Sequence, residues 1–132
     1  MKPSSATGRL TEAILPHLYG YLPYIAKGRI LEPAAGDGAI VRVLERFFPE
    51  AQIDAGDIST EQDFLKHDYP GPYHLIITNP PYCRAIEFVQ RALSLRHPNG
   101  LVAMLLRLNF LGSQERARWL RENPPSVYVS PR

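Results

Sequence analysis

The sequence predicts an α/β fold in which a mostly parallel central sheet is flanked by helices. Two observations carry that expectation. Short apolar runs, at 29–32, 73–78 and 101–106, alternate with stretches whose apolar residues recur at helical spacing. The glycines, prolines and unusual polar residues collect just after the apolar runs rather than inside them. Strands that alternate with helices need crossover connections, which are right-handed and cover both faces of a parallel sheet. The chain contains no internal repeat and no low-complexity tail.

Residues 1–28 read as an N-terminal helical segment. Leu10, Ala13, Ile14 and Leu18 fall at helical spacing, and Pro16 should kink or split the helix. Arg29-Ile30-Leu31-Glu32 is a short buried strand stopped by Pro33. Residues 38–48, with Ile40, Leu44, Phe47 and Phe48 toward one side, form a helix ending at Pro49. A second strand covers 51–57, a weaker segment 59–66, and a further strand 73–78. Residues 85–96 place Ile86, Val89 and Leu93 on one helical stripe, Pro98-Asn99-Gly100 is a turn, and 101–106 is a strand apolar enough to be buried on both faces. A polar helix at 113–121 stops at Asn123-Pro124-Pro125-Ser126, and Val127-Tyr128-Val129 begins one more strand. The whole of 1–132 is therefore one domain, with its core at 29–112, a C-terminal helix and partial strand at 113–132, and final strands that are absent or truncated.

With 132 residues and 45% hydrophobic composition, the chain can bury about two thirds of its unfolded surface without staples. Its single cysteine, Cys83, excludes an intramolecular disulfide and is expected to pack rather than act as a nucleophile. The best apolar run, from Leu101, is broken by Arg107, so no membrane span is expected. No signal peptide is visible at Met1-Lys2-Pro3, and a reducing cytoplasm is the simplest location. His17, His67, His74 and His97 lack ligand spacing, which argues against a metal site. The net charge of +2 hides an asymmetry: residues 1–83 carry net −3 and residues 84–132 net +5, all of the latter's cations being arginine. An arginine-only basic half suits phosphate contact through its fixed fork of donors.

In an open parallel sheet, ligands sit beyond the carboxyl ends of strands. Four strand ends here carry polar or glycine-rich chemistry. Glu32-Pro33-Ala34-Ala35-Gly36-Asp37-Gly38 has small residues where a ligand must approach the backbone. It lacks the third glycine of a pyrophosphate fingerprint, and its two acids suit a ligand carrying ammonium and sulfonium charge. Asp57, at the end of the next strand, can accept two ribose hydroxyls. Asp54 is the competitor, disfavoured because a charge costs more within a strand. Asp63 could take an adenine amine with Phe64 offering a ring face, although Phe64 also reads as ordinary core.

Asn79-Pro80-Pro81-Tyr82 follows the run Leu75-Ile76-Ile77-Thr78 and presents a planar amide, a stiff backbone and an aromatic face. Each proline fixes its own φ and restricts the preceding residue, so the Asn79 side chain and neighbouring carbonyls are aimed before a ligand arrives. The repeat at Asn123-Pro124-Pro125 follows a polar helix and ends in Ser, which marks it as a helix stop. Trp119 reads as a core or interface anchor.

In their order and spacing, Leu31 to Gly38, Asp57, Asp63-Phe64-Leu65 and Asn79-Pro80-Pro81-Tyr82 resemble S-adenosylmethionine-dependent N6-adenine DNA methyltransferases, most closely the small phage or prophage members. The likeness covers roughly residues 25 to 112, including the segment Arg107-Leu108-Asn109-Phe110. It implies a Rossmann-like methyltransferase sheet and S-adenosylmethionine held by Glu32, Pro33, Ala34, Gly36, Asp37, Gly38, Asp57, Asp63 and Phe64. Asn79, Pro80, Pro81 and Tyr82 would hold the target amine, and Arg84, Arg107 and Asn109 would contact DNA. Because the same Asn-Pro-Pro-aromatic segment serves methyltransferases of other amino or amide nitrogens, a protein glutamine amide and an RNA base amine stay open as targets. The short stretch after Tyr82 leaves recognition to a second copy or a separate subunit, or leaves an inactive binding module.

Overall fold

The computed structural model describes residues 6–56 and 63–129. Four strands form one sheet in the order β2-β1-β3-β4, every neighbouring pair parallel. They are β1 (Arg29–Glu32), β2 (Gln52–Ala55), β3 (Tyr73–Thr78) and β4 (Arg96–Met104). The helices are α1 (Ala6–Ile14), α2 (Leu22–Ile25), α3 (Ala39–Phe47), α4 (Ala85–Leu95) and α5 (Gln114–Glu122). This is the α/β sandwich that the alternation of runs predicts.

The sheet divides the core into two. On one face Ile30, Leu75 and Ile77 meet Leu15, Leu18 and Ile25 of the N-terminal segment and Ile40, Val43 and Leu44 of α3. On the other, Leu31 and Ile76 meet Phe64, Tyr69 and the α4 residues Phe88 and Ala92. Because side chains alternate along a strand, the run Ile30-Leu31 supplies one residue to each face, which is why a fully buried strand shows no polar alternation.

Pro16 acts as predicted: α1 ends at Ile14 and a 3-10 helix, Leu15–Tyr21, takes over, since proline has no N–H for the α-helical ladder. The α1 face differs from expectation. Leu10 is exposed, whereas Gly8 and Thr11 are buried, because α1 packs on α3 through its small residues. Thr11 satisfies its hydroxyl by donating to the Thr7 carbonyl at 2.8 Å.

Three further expectations are corrected. Pro98-Asn99-Gly100 is not a separate turn but lies inside β4, whose register jumps between the pairs Tyr73↔Arg96 and Leu75↔Leu101. Gly100 is needed there: a Cβ would stand 2.5 Å from the Tyr73 carbonyl oxygen. Residues 101–106 are half-buried rather than enclosed on both faces, since β4 pairs only with β3 and forms an edge of the described sheet. Val127, Tyr128 and Val129 form no strand and are at least half exposed. The stop at Asn123 is as expected, its backbone N–H and side-chain amide both donating to the Trp119 carbonyl and closing α5. No helix among the described residues is long and apolar enough to cross a membrane.

The end of β2 is held by a tight contact between Gly56 and the ring of Tyr69. A Cβ at Gly56 would stand 2.0 Å from the Tyr69 hydroxyl, which is buried without a hydrogen-bond partner. Gly56→Ala should therefore cost about 1–3 kcal/mol through overpacking. Tyr69→Phe removes an unsatisfied group and should be neutral or stabilising. Denaturant titration of the wild type, both single variants and the double variant is the measurement. We expect Tyr69→Phe to recover most of the loss, and a double variant no more stable than Gly56→Ala places the strain elsewhere.

Candidate active site

The chain leaves β1 toward β2 on one side, and β3 then joins the other side of β1, so the direction of winding switches between β1 and β3. That switch opens a crevice beyond their carboxyl ends. Glu32, the last residue of β1, is 1% exposed, and its Oε2 accepts the Ala34 N–H at 2.7 Å, which folds the turn back on the strand. The turn is tied to the end of β2 through Ala35 N–H to the Gly56 carbonyl at 2.7 Å and Gly56 N–H to the Glu32 carbonyl at 2.9 Å. Asp37 accepts the Ala39 N–H at 3.1 Å and so holds the start of α3. Gly36 and Gly38 take φ of 53° and 83°, the left-handed region glycine enters without strain.

A cavity of about 160 Å³ sits on this turn, bordered by Glu32, Ala34, Gly36 and Asp37 and, from the neighbouring strand, by Asn79. Two predicted residues of the turn itself do not border it, and neither do Asp63 and Phe64. Pro33 is buried behind the turn, and Gly38 serves as the N-cap of α3. Thr7 of α1 also borders the cavity and was not legible in the sequence, because only the packing of α1 on α3 brings it there.

Asn79 and Pro80 leave β3 directly. Strand pairing continues to that point, the Leu105 N–H donating to the Thr78 carbonyl at 2.9 Å. Among the described residues, neither the Asn79 side chain nor the Pro80 carbonyl has a hydrogen-bond partner. Pro81 then initiates a one-turn 3-10 helix, Tyr82–Arg84. The Tyr82 ring is 47% exposed, but its face is not bare: the Arg107 guanidinium lies over it, 4.3 Å from the centroid. Arg107 has no carboxylate partner among the described residues, so its charge rests on the ring.

Asp57, the expected ribose acceptor, lies outside the described residues. Its competitor Asp54 is engaged inside the fold, accepting from the Tyr73 hydroxyl at 2.7 Å and pairing with Arg29 at 3.3 Å. Burial, reinforced by that bond to Asp54, pushes the Tyr73 hydroxyl well above the usual tyrosine range. Phe64 is a correction. It is 1% exposed and packs against Tyr69 and Phe88, so it is core and offers no free ring face. Arg84 is another. Its guanidinium reaches both Asp63 oxygens at 3.3 Å and lies over the Phe88 ring, so it is committed to an ion pair within the fold although its side chain stays 28% exposed. The Leu65 N–H, followed by Arg84, holds the Asp63 carboxyl below the ordinary carboxylate range, so Asp63 is an ionised acceptor. Asn109 is exposed in the 3-10 helix Leu108–Gly112.

A second cavity, of about 350 Å³, opens on the far side of the Asn-Pro-Pro-Tyr segment, between the start of α4 and α5. Tyr82, Gln90, Glu115, Arg116 and Trp119 border it. Cys83 borders it too and is exposed, not packed. Sequence reasoning singled out Trp119 without seeing the cavity, because two helices bordering one cavity leave no mark in local periodicity. Among the described residues, no group of three or more His, Cys, Asp or Glu is placed to hold a metal ion.

No protein-family profile matches the chain. Among curated proteins it is similar to a release factor glutamine methyltransferase of Deinococcus radiodurans, 26% identical over 106 residues that cover 66% of this chain and 38% of the relative. The chain thus spans well under half the length of that protein. With helices on both faces of its parallel sheet, the fold has the Rossmann-like arrangement of methyltransferases.

Proposed function

We propose that the chain transfers the methyl group of S-adenosylmethionine to a planar amino nitrogen, and that the N6 amine of adenine in DNA is its target. One observation carries this reading: a single cavity is bordered by both the acid-and-glycine turn and Asn79, the amide at the head of the proline-stiffened segment. S-adenosylmethionine supplies an electrophilic methyl on a positively charged sulfur. Glu32 and Asp37 bring negative charge to the cavity wall, and Ala34 and Gly36 add little bulk there, which suits a cationic ligand pressed against backbone. Asp57 is assigned the ribose hydroxyls. Asp63 is assigned the adenine amine through the lone pairs that Leu65 and Arg84 leave open.

An adenine amine is a poor nucleophile because its lone pair is delocalised into the ring. The Asn79 side-chain oxygen and the Pro80 carbonyl, each accepting one N–H, would draw that nitrogen toward tetrahedral geometry and hold its lone pair out of the plane. The same acceptors stabilise the positive charge that grows as the N–C bond forms and the C–S bond breaks. The methylated nitrogen then loses its proton to solvent, so no strong base is needed. Holding both reactants in line is worth up to roughly 7–11 kcal/mol in well-oriented systems.

Modification of a protein glutamine amide is the second reading, favoured by the name of the relative. The same two acceptors would serve an amide nitrogen. The unpaired Arg107 beside Tyr82 and the net +5 of residues 84–132 favour a polyanionic target.

Labelled S-adenosylmethionine offered in parallel with unmethylated DNA, RNA and protein extract tests the target, and we expect DNA to take up most of the label. Label confined to protein moves the assignment to the glutamine amide. Asn79→Ala should lower methyl transfer by roughly 100- to 1,000-fold, by analogy with loss of one preorganised group at a reacting centre, while calorimetry shows cofactor affinity nearly intact. Equal activity in wild type and variant ends the proposed role. Asp57→Ala should weaken cofactor binding by about tenfold or more, the scale of a hydrogen bond to a charged group; an unchanged dissociation constant assigns the ribose elsewhere.

A further inference from the structure

Helix α5 has no buried residue, yet it carries the chain's single tryptophan. Trp119 is half-buried, and it faces the cavity that begins at Tyr82. A large aromatic side chain that neither completes the core nor hides from solvent, and that lies across a cavity from the ring assigned to the target, is placed to receive a second flat group. The remaining borders fit a heterocycle. The Gln90 amide both donates and accepts hydrogen bonds, and the Glu115 carboxylate accepts from an exocyclic amine. The volume of about 350 Å³ lies at the lower end of small-ligand sites, enough for one base but not for a folded element.

The surrounding charge points to the polymer to which such a base belongs. Arg107 and Arg116 lie on the rings of Tyr82 and Phe110, at 4.3 and 4.5 Å, and neither has a carboxylate partner among the described residues. Guanidinium groups parked on aromatic faces at the mouth of a cavity are free to meet backbone phosphates once a strand arrives.

Deepening the proposed function, and resting on it with the Tyr82 ring stacked on the target adenine, we propose that the α4–α5 cavity is a second subsite, in which Trp119 stacks on the nucleobase adjacent in sequence to the methylated adenine. The enzyme then reads two consecutive bases: one at Tyr82 and its neighbour at Trp119.

Because Trp119 is the sole tryptophan, its fluorescence reports on this cavity without any requirement for activity. The probe is a single-stranded, adenine-containing oligonucleotide of about 10 nucleotides, compared with versions abasic on either side of the adenine. The intact strand should quench Trp119 emission, and one of the two abasic strands should lose most of the quenching and bind about 5- to 150-fold more weakly, the loss of one stacked base. Trp119→Ala should lose a similar factor in KM for the intact strand, with little change in kcat and no further loss on the abasic strand, and Trp119→Phe should restore most of it. Quenching and binding unchanged by both abasic positions overturn the subsite. Stronger quenching by a glutamine-containing peptide than by the oligonucleotide overturns its nucleotide identity. Asn79→Ala in the same titration separates the two ideas: it should quench as the wild type does while losing methyl transfer. If it quenches normally and also methylates normally, the catalytic assignment fails and the stacking subsite stands.

Discussion

Everything that brings chemistry together in this chain depends on the parallel pairing of β1 with β3. Ile30 faces Leu75 and Leu31 faces Ile76, and all four side chains are fully buried, so a slip of one residue would turn every apolar group to the wrong face. This register sets the carboxyl ends of the two strands side by side. Glu32 ends one and Asn79 follows the other, with no loop of adjustable length between strand and functional residue. The precision of the cavity is thus inherited from the most buried part of the molecule, which is also the part least free to move.

Charge is divided across that crevice. On the β1 side the turn presents two carboxylates, one buried and hydrogen-bonded to its own backbone, the other anchoring α3. Beyond the Asn-Pro-Pro-Tyr segment, toward the second cavity, the arginines over Tyr82 and Phe110 have no carboxylate partner among the described residues. The Arg84–Asp63 pair joins the two halves, its guanidinium from the 3-10 helix after Pro81 and its carboxylate from the chain that follows β2. Under the proposed function, this division suits a cationic ligand at the turn and a polyanion beyond Tyr82. Each opposing field discourages the wrong occupant as much as it attracts the right one.

Much of this was readable in advance, and the failures share a cause. The limits of β1 and β3 follow from short apolar runs ending in Pro33 and at Asn79, because central strands are specified by their own residues. The polar strand-end residues also converge as expected, with Glu32, Gly36, Asp37 and Asn79 on one cavity. What the sequence could not supply was partnership. Phe64 and Arg84 have the right chemistry for ligands, but Phe88 and Asp63 claim them first. The apolar run at 101–106 reads as an interior strand, yet burial depends on neighbours that residue composition does not name. Thr7 and the Trp119 cavity arise only from contacts between elements distant in sequence.

The borders of the two cavities are embedded very differently. The acid-and-glycine turn is continuous with β1 and with the α3 residues Ala39 and Ile40, so exchanging its residues disturbs the hydrophobic centre. Helix α5 is held mainly through the 3-10 helix before it and buries nothing of its own. Its sequence is therefore weakly constrained by folding. Under the proposed function, the α5 side would be free to drift from one lineage to another while the acid-and-glycine turn stays fixed, so new selectivity could be explored there at little risk to the fold.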